Sequence, residues 1–202
     1  MNDMDLVSVS YAVLWIVVLI QGFALILVFR SMGTVFLASR DGISRDGLKV
    51  GTKAPMFVGS SNGQPRSLAE FIGKWLVLVF AAPTCQICLQ VLPDLGRLRD
   101  DLGDEVDILL LLRADADVAV DYQRSTGTTL PVLAIGQHGV AERYLVRVSP
   151  FVHVLDPDGM IRAKGLVNTV ENVAHLLYEG GLRNERIGVH VHEHEHPSKA
   201  VA

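Results

Sequence analysis

The stretch that decides the fold is Trp75-Leu76-Val77-Leu78-Val79-Phe80-Ala81-Ala82-Pro83-Thr84-Cys85-Gln86-Ile87-Cys88-Leu89. Its opening part, up to the phenylalanine, is apolar without a polar break, which is typical of a strand buried on both faces. From Leu89 to Leu98 a leucine recurs at every third position, with charged residues between, as on an amphipathic helix. Cys85 and Cys88 are the only cysteines of the chain. They therefore lie at a turn from a strand into a helix.

This turn favours a reactive cysteine pair. Unpaired backbone N–H groups and the positive end of the helix dipole stabilise an anion at a helix start, and the thiolate is the reactive form of cysteine. We predict that Cys85 is the nucleophile and Cys88 the resolving partner, forming a redox-active disulfide that requires no cofactor. Thiols in such turns have pKa values of roughly 3.5 to 7.5, against about 8.5 for a free thiol.

Two alternatives exist for the cysteine pair. A purely structural disulfide would close so short a loop that it removes little chain entropy from the unfolded state. Half of a zinc site would need a further pair of ligands, and the chain has no second pair of cysteines. Both arguments favour redox chemistry over a structural disulfide or a zinc site.

Strand and helix patterns alternate along the rest of the folded part. Ser67 to Phe71 predicts a short helix capped by Ser67. Three buried strands are predicted at Val106–Leu112, Leu130–Ile135 and Phe151–Leu155. Helices are predicted at Asp115–Arg124 and Val170–Leu182. An antiparallel return strand is predicted at Met160–Gly165. Such alternation predicts an α/β domain with a mainly parallel sheet covered by helices.

The N-terminal part predicts a membrane anchor. Leu6 to Phe29 carries no charge and is long enough to cross ~30 Å of hydrocarbon as a helix. A cleaved signal peptide is the competing interpretation, but Lys and Arg are missing before the run and no small-residue cleavage site ends it. The predicted organisation is an anchor over 1–30, a linker over 31–49, a folded domain over 50–184 and a tail over 185–202.

The tail is rich in histidine. Alternation places four histidines on one side of an extended segment: His190, His192, His194 and His196. There they could bind zinc, copper or nickel. The alternative is a solvated chain end that binds no ligand. The net charge of -4, with no basic stripe, argues against nucleic acid as a partner.

A Cys-x-x-Cys pair at the first strand-to-helix turn of such a sheet resembles the redox motif of thioredoxin-like proteins. The resemblance implies an α/β thioredoxin-like fold, with a central mixed sheet flanked by helices. It also implies a cis-proline that faces the two sulfurs and helps to dock the substrate. Pro150, which follows Ser149 just before a predicted strand, is the candidate.

Further motifs resemble the MauD family, the membrane-anchored thioredoxin-like accessory proteins of methylamine dehydrogenase. They are the N-terminal span, Pro55-Met56-Phe57, Gly73-Lys74, Ser149-Pro150 and the segment from Asp158 to Asn168. The resemblance implies a thiol–disulfide oxidoreductase in methylamine degradation. It would assist disulfide formation, processing and maturation of the small (β) subunit of methylamine dehydrogenase, or of another exported client, with a membrane redox partner and the lipid bilayer as further partners.

The resemblance implies a single-pass protein whose C-terminal domain is extracytoplasmic, on the periplasmic side. The charges flanking the span favour the opposite orientation, because basic residues such as Arg30 and Arg40 follow it. Gln86 replaces the proline common after the first cysteine of the family, and Val91 stands where TlpA-like reductases often have a glutamate. The alternatives are a general TlpA-like reductase for cytochrome or copper-site maturation and a non-catalytic protein that binds metal or a subunit.

Overall fold

The computed structural model describes residues 11, 13–23, 46–184 and 187 of the chain. The chain divides into two compact units, Met1–Arg45 and Asp46–Ala202. In the first unit Tyr11 and residues 13–23 are helical, and the remainder of the predicted anchor lies outside the described residues. Within the part of the chain that is described, no helix is long and apolar enough to cross a membrane.

The second unit is built on one seven-stranded sheet with helices on both faces. Its elements in chain order are β1 (Val58–Ser61), β2 (Gln64–Ser67), a 3₁₀ turn (Leu68–Glu70), β3 (Trp75–Ala81), α1 (Gln86–Leu102), a second 3₁₀ turn (Gly103–Glu105), β4 (Val106–Leu112), α2 (Ala116–Thr126), β5 (Val132–Ala134), α3 (Val140–Arg143), β6 (Phe151–Leu155), β7 (Ile161–Leu166) and α4 (Val170–Gly180).

The sheet is mixed. Its strand order is β2-β1-β5-β4-β3-β6-β7, and the parallel pairs are β3 with β4 and β4 with β5. The remaining neighbours pair antiparallel, so the parallel strands form only the centre, and the predicted mainly parallel sheet is narrower than expected. The continuous apolar runs of β3 and β4 are explained by this central position, because helices or loops cover them on both faces.

Successive residues of the central strands face two separate cores. We call the first the Cys face: it holds Val77 and Val79 of β3, the buried side of α1, and residues of α2 and α4. We call the second the ring face: it holds Leu76, Leu78 and Phe80 of β3, with Phe57, Tyr144 and Phe151. The alternation follows from the two-residue period of a strand.

Helix α1 follows the predicted leucine pattern. Leu92, Leu95 and Leu98 are buried on the Cys face. The helix continues through Pro93 and ends at Gly103, whose φ of 62° suits a residue without a side chain.

The compact unit begins at Asp46, before the predicted domain start at Val50. Asp46–Leu48, which we call the strap, is bound to the domain by side chains and backbone groups far away in sequence. The hairpin of β1 and β2 and the single-turn helix α3 were not predicted as such; the turn at Asn62-Gly63 joins the two hairpin strands.

Candidate functional site

Cys85 and Cys88 are joined as a disulfide, with their Cα atoms 5.3 Å apart. Strand β3 ends at Ala81, a tight turn follows in which the N–H of Cys85 donates to the carbonyl of Ala82, and α1 begins at Gln86. The apolar strand and the amphipathic helix thus fix both ends of the turn. The pair lies where the sequence predicts it, at the carboxyl end of a central strand.

The two sulfur-bearing residues differ in exposure. Cys85 is half-buried, whereas Cys88 is 3% exposed and packs in the core of the Cys face. An external thiol therefore reaches Cys85 more readily than Cys88. This asymmetry is what an attacking and a resolving cysteine require, although the two roles themselves stay a prediction.

Cys85 is the N-cap of α1. Its Sγ accepts a hydrogen bond from the N–H of Cys88 at 3.1 Å, so a sulfur occupies the position where a capping oxygen usually lies. After reduction the same N–H and the helix dipole would stabilise a thiolate on Cys85.

Pro150 lies at the same edge of the sheet. Strand β6 runs antiparallel beside β3 with Phe151 opposite Phe80, and one further step of this register brings Pro150 opposite Ala81. The Ser149–Pro150 peptide bond is cis, and Pro150 is buried. The geometry agrees with the expected cis-proline, and its role in substrate docking stays a prediction.

Apolar surface accompanies the pair. Ile87, between the two cysteines, is 40% exposed, and Val148, two residues before Pro150, is 38% exposed. Exposed apolar side chains on both segments offer contact surface to the apolar residues of an unfolded polypeptide.

The comparisons with known proteins agree with this geometry. The family model described as "AhpC/TSA family" matches residues 50–164, which is more than half of the chain. The chain belongs to the AhpC/TSA family. Its match to the methylamine utilization protein MauD of Methylophilus methylotrophus is 33% identical over 134 residues, 64% of this chain and 62% of that protein.

A second MauD protein, from Methylobacillus flagellatus, is 30% identical over 138 residues, 64% of this chain and 63% of that protein. These matches confirm the resemblance to MauD proteins, and they span less than two thirds of each relative's length. Among solved structures, the thioredoxin domain of a thiol-disulfide oxidoreductase from Bacteroides vulgatus has a TM-score of 0.55 at 20% identity, over 72% of this chain and 97% of that domain. The fold is therefore thioredoxin-like, as predicted.

Among the described residues, the core around the cysteines holds no acidic side chain. Val91 is 5% exposed and lies in the same core as Cys88. Among the described residues, the buried polar or charged side chains are those of Asp46 and His153. His153 contacts rings of the ring face, so it is not on the side of the Cys88 core.

His153 is the feature of this region that sequence reasoning missed. It is fully buried on β6, its Nε2 accepts a hydrogen bond from the N–H of Leu48 at 3.2 Å, and its Nδ1 has no partner among the described residues. Burial, with a smaller contribution from the charge of Lys164, lowers the pKa of His153 to about 3. The signal in the sequence was one histidine within the otherwise apolar Phe151–Leu155.

The predicted metal ligands His190, His192, His194 and His196 lie outside the described residues. In the part of the chain that is described, no group of three or more His, Cys, Asp or Glu side chains is arranged to hold a metal ion.

Proposed function

We propose that this protein is a membrane-anchored thiol–disulfide oxidoreductase that assists disulfide formation and maturation of the methylamine dehydrogenase small subunit. The observation that carries the proposal is the Cys85–Cys88 disulfide at a helix start, with Cys85 half-buried and Cys88 buried. The similarity to two MauD proteins supports the choice of client.

In the proposed reaction a client thiolate attacks Sγ of Cys85. The bond between Cys85 and Cys88 breaks, and its electron pair leaves on Sγ of Cys88. The mixed disulfide joins the client to Cys85, because this is the cysteine that an external sulfur reaches more readily. The leaving thiolate of Cys88 takes a proton from water, since no buried acidic residue of the described chain lies in its core.

A second client thiolate then attacks the client sulfur of the mixed disulfide. The client gains a disulfide, and Cys85 leaves as a thiolate that the N–H of Cys88 and the start of α1 stabilise. Two client thiols are oxidised and one protein disulfide is reduced. A membrane redox partner returns the pair to the disulfide form in the proposed cycle.

The proposed anchor rests on the uncharged run Leu6 to Phe29, and the extracytoplasmic side of the domain rests on the similarity to MauD proteins. Because the domain carries the chain's only cysteines, thiol labelling reports its side of the membrane. After mild reduction of intact cells whose outer membrane has been permeabilised, a membrane-impermeant maleimide is expected to label the protein. Labelling only after lysis would place the domain in the cytoplasm and contradict the proposal.

Single cysteine substitutions test the chemistry. In Cys88→Ala the thiolate of Cys85 attacks a disulfide of the small subunit, the reverse of the last proposed step, and releases one client thiolate. No Cys88 thiol then resolves the mixed disulfide, so a disulfide-linked complex with the small subunit is expected on non-reducing gels. In Cys85→Ala the remaining thiol is buried, and no such complex is expected. Normal maturation of methylamine dehydrogenase with both variants would overturn the oxidoreductase proposal. A complex with other exported proteins alone would overturn the choice of client.

A further inference from the structure

The strap, Asp46–Leu48, is bound to the segment that leads into Pro150. The N–H of Gly47 donates to the carbonyl of Leu145 at 2.9 Å. The Asp46 carboxylate, almost fully buried, accepts a hydrogen bond from Nε of Arg147 at 2.7 Å. Both partners stand a few residues before Pro150. The strap therefore holds this segment, residues 145–149, which we call the Pro150 loop.

One of these contacts fixes an unfavourable backbone conformation. Leu145 has a φ of 56°, in the left-handed region that leucine rarely adopts. Its N–H donates to the carbonyl of Glu142 at 2.9 Å, and its carbonyl accepts from the strap. Without the strap, the carbonyl of Leu145 would lose the partner that helps to hold this conformation.

A second set of contacts holds the strap against the sheet. Nζ of Lys164 donates to the carbonyls of Asp46 and Gly47 at 2.7 and 2.8 Å. The N–H of Leu48 donates to His153 on β6. A side chain on Gly47 would lie 2.6 Å from the ring of Phe151, the residue directly after Pro150. The strap thus touches the chain on both sides of Pro150.

We propose that the strap is a positioning element of the redox site, which braces the Pro150 loop so that a client polypeptide docks productively beside Cys85. The inference rests on the proposed function. A small dithiol reacts with the disulfide without a docking surface, whereas a polypeptide needs the loop in place. Loss of the brace therefore slows exchange with a polypeptide much more than exchange with a small dithiol.

The test compares two reductants on the full chain. One is dithiothreitol, and the other is a reduced, unfolded polypeptide that carries two cysteines. In Asp46→Ala we expect the exchange rate with the polypeptide to fall about tenfold, the effect of one charged hydrogen bond, while the rate with dithiothreitol changes by less than about twofold. Asp46→Asn keeps an oxygen that accepts from Arg147, and we expect it to restore most of the rate.

The matched control is Glu70→Ala, which removes an ion pair to Arg66 in the first 3₁₀ turn and leaves the strap intact. It is expected to leave both rates unchanged. If Asp46→Ala fails to fold, Arg147→Gln removes the same ion pair from its exposed side and is expected to show the same selective loss.

Equal losses with both reductants in Asp46→Ala would show that the strap acts on the disulfide itself or on overall stability, and would overturn the inference. Unchanged rates with both would overturn it as well. In either case a wild-type protein that exchanges with both reductants leaves the proposed function standing. A wild-type protein that exchanges with neither reductant would overturn both the proposed function and the inference.

Discussion

Both faces of the central sheet are buried, but their side chains differ in chemistry. The Cys face is mostly aliphatic, and its helices α1, α2 and α4 pack against the valines and leucines of the central strands. On the ring face Phe80, Tyr144 and Phe151 lie around His153, and Phe57 packs against Tyr144. The face that holds the sulfurs therefore has fewer other titratable side chains. The proposed exchange therefore takes its protons from solvent, while the N–H of Cys88 stabilises a thiolate on Cys85.

Polar groups on the two faces also differ in how they are satisfied. On the ring face the hydroxyl of Tyr144 donates to the carbonyl of Pro55 at 2.8 Å. On the Cys face the buried hydroxyl of Tyr122 has no partner among the described residues. Burial raises the pKa of both phenols above the usual value of a tyrosine. Substitutions at His153, at Val91 and at the two tyrosines test how the two faces differ.

The largest expected effect concerns His153. The pKa of His153 is about 3 in the folded protein, below the ordinary 6.5 of the unfolded chain. As the pH falls below 6.5 the unfolded chain takes up a proton that the folded protein does not, so stability is lost between about pH 6.5 and 3. At pH 4 this loss amounts to about 3 kcal/mol, at about 1.4 kcal/mol for each pH unit.

His153→Gln keeps an acceptor for Leu48 and removes the titration. Urea unfolding from pH 7.5 to pH 4 is expected to show a shallower loss of stability in the variant. Lys164, Tyr144 and the Asp46–Arg147 pair also face this position and are unchanged in the variant, so their contributions cancel in the difference. Parallel pH profiles of the two proteins would contradict the assignment.

The second prediction places an acid on the Cys face. Val91→Glu puts a carboxyl into the core that holds Cys88, where burial raises its pKa. Relative to the neutral control Val91→Gln, the free energy of unfolding at pH 7 is expected to be about 2 kcal/mol lower. The difference vanishes below the ordinary glutamate pKa of about 4.3, because the carboxyl is then protonated in both states.

The same pair of variants reports on the chemistry. With a carboxyl in the core of Cys88, formation of the mixed disulfide, in which Cys88 leaves as a thiolate, is expected to become pH-dependent near the raised pKa of that carboxyl, and Val91→Gln should lack this dependence. Stopped-flow exchange with a dithiol measures it. Identical pH–rate profiles would mean that the aliphatic character of this core does not limit proton transfer to Cys88.

The smallest expected effect is on the free energy of unfolding, when the buried hydroxyl of Tyr122 or of Tyr144 is removed. Tyr122→Phe removes an unpaired buried hydroxyl and is expected to raise the free energy of unfolding by about 1 kcal/mol. Tyr144→Phe removes a satisfied one and leaves the carbonyl of Pro55 without its donor, so a loss of about 1 kcal/mol is expected. Changes of the same sign in urea unfolding would show that Tyr122 has a partner in solution.

Much of the fold followed from local patterns. The strands Val106–Leu112 and Phe151–Leu155 have the predicted bounds, and β3 exceeds its predicted bound only by Ala81, because unbroken apolar runs are typical of central strands. The cysteine turn was readable for the same reason, since the strand ends and the leucine pattern begins around it. The position of Pro150 came from the resemblance to thioredoxin-like proteins.

Other features could not be predicted from the sequence, because contacts between residues far apart in the chain determine them. The strands β1 and β2 are short and mostly polar, Val-Gly-Ser-Ser and Gln-Pro-Arg-Ser, and pairing alone makes them strands. The strap resembles a linker in composition, and its partners lie about a hundred residues away. The unpaired Tyr122 hydroxyl and the buried His153 likewise depend on how the helices and strands pack.

The two outer strands of the sheet determine how easily an unfolded chain could add to its edges. An open sheet edge is a template for strand addition, and it is blunted by proline and by basic side chains. Here β2 carries Pro65 and Arg66, and β7 at the opposite edge carries Arg162 and Lys164. In the proposed function the domain meets extended polypeptides, and these edge residues disfavour their addition to its sheet.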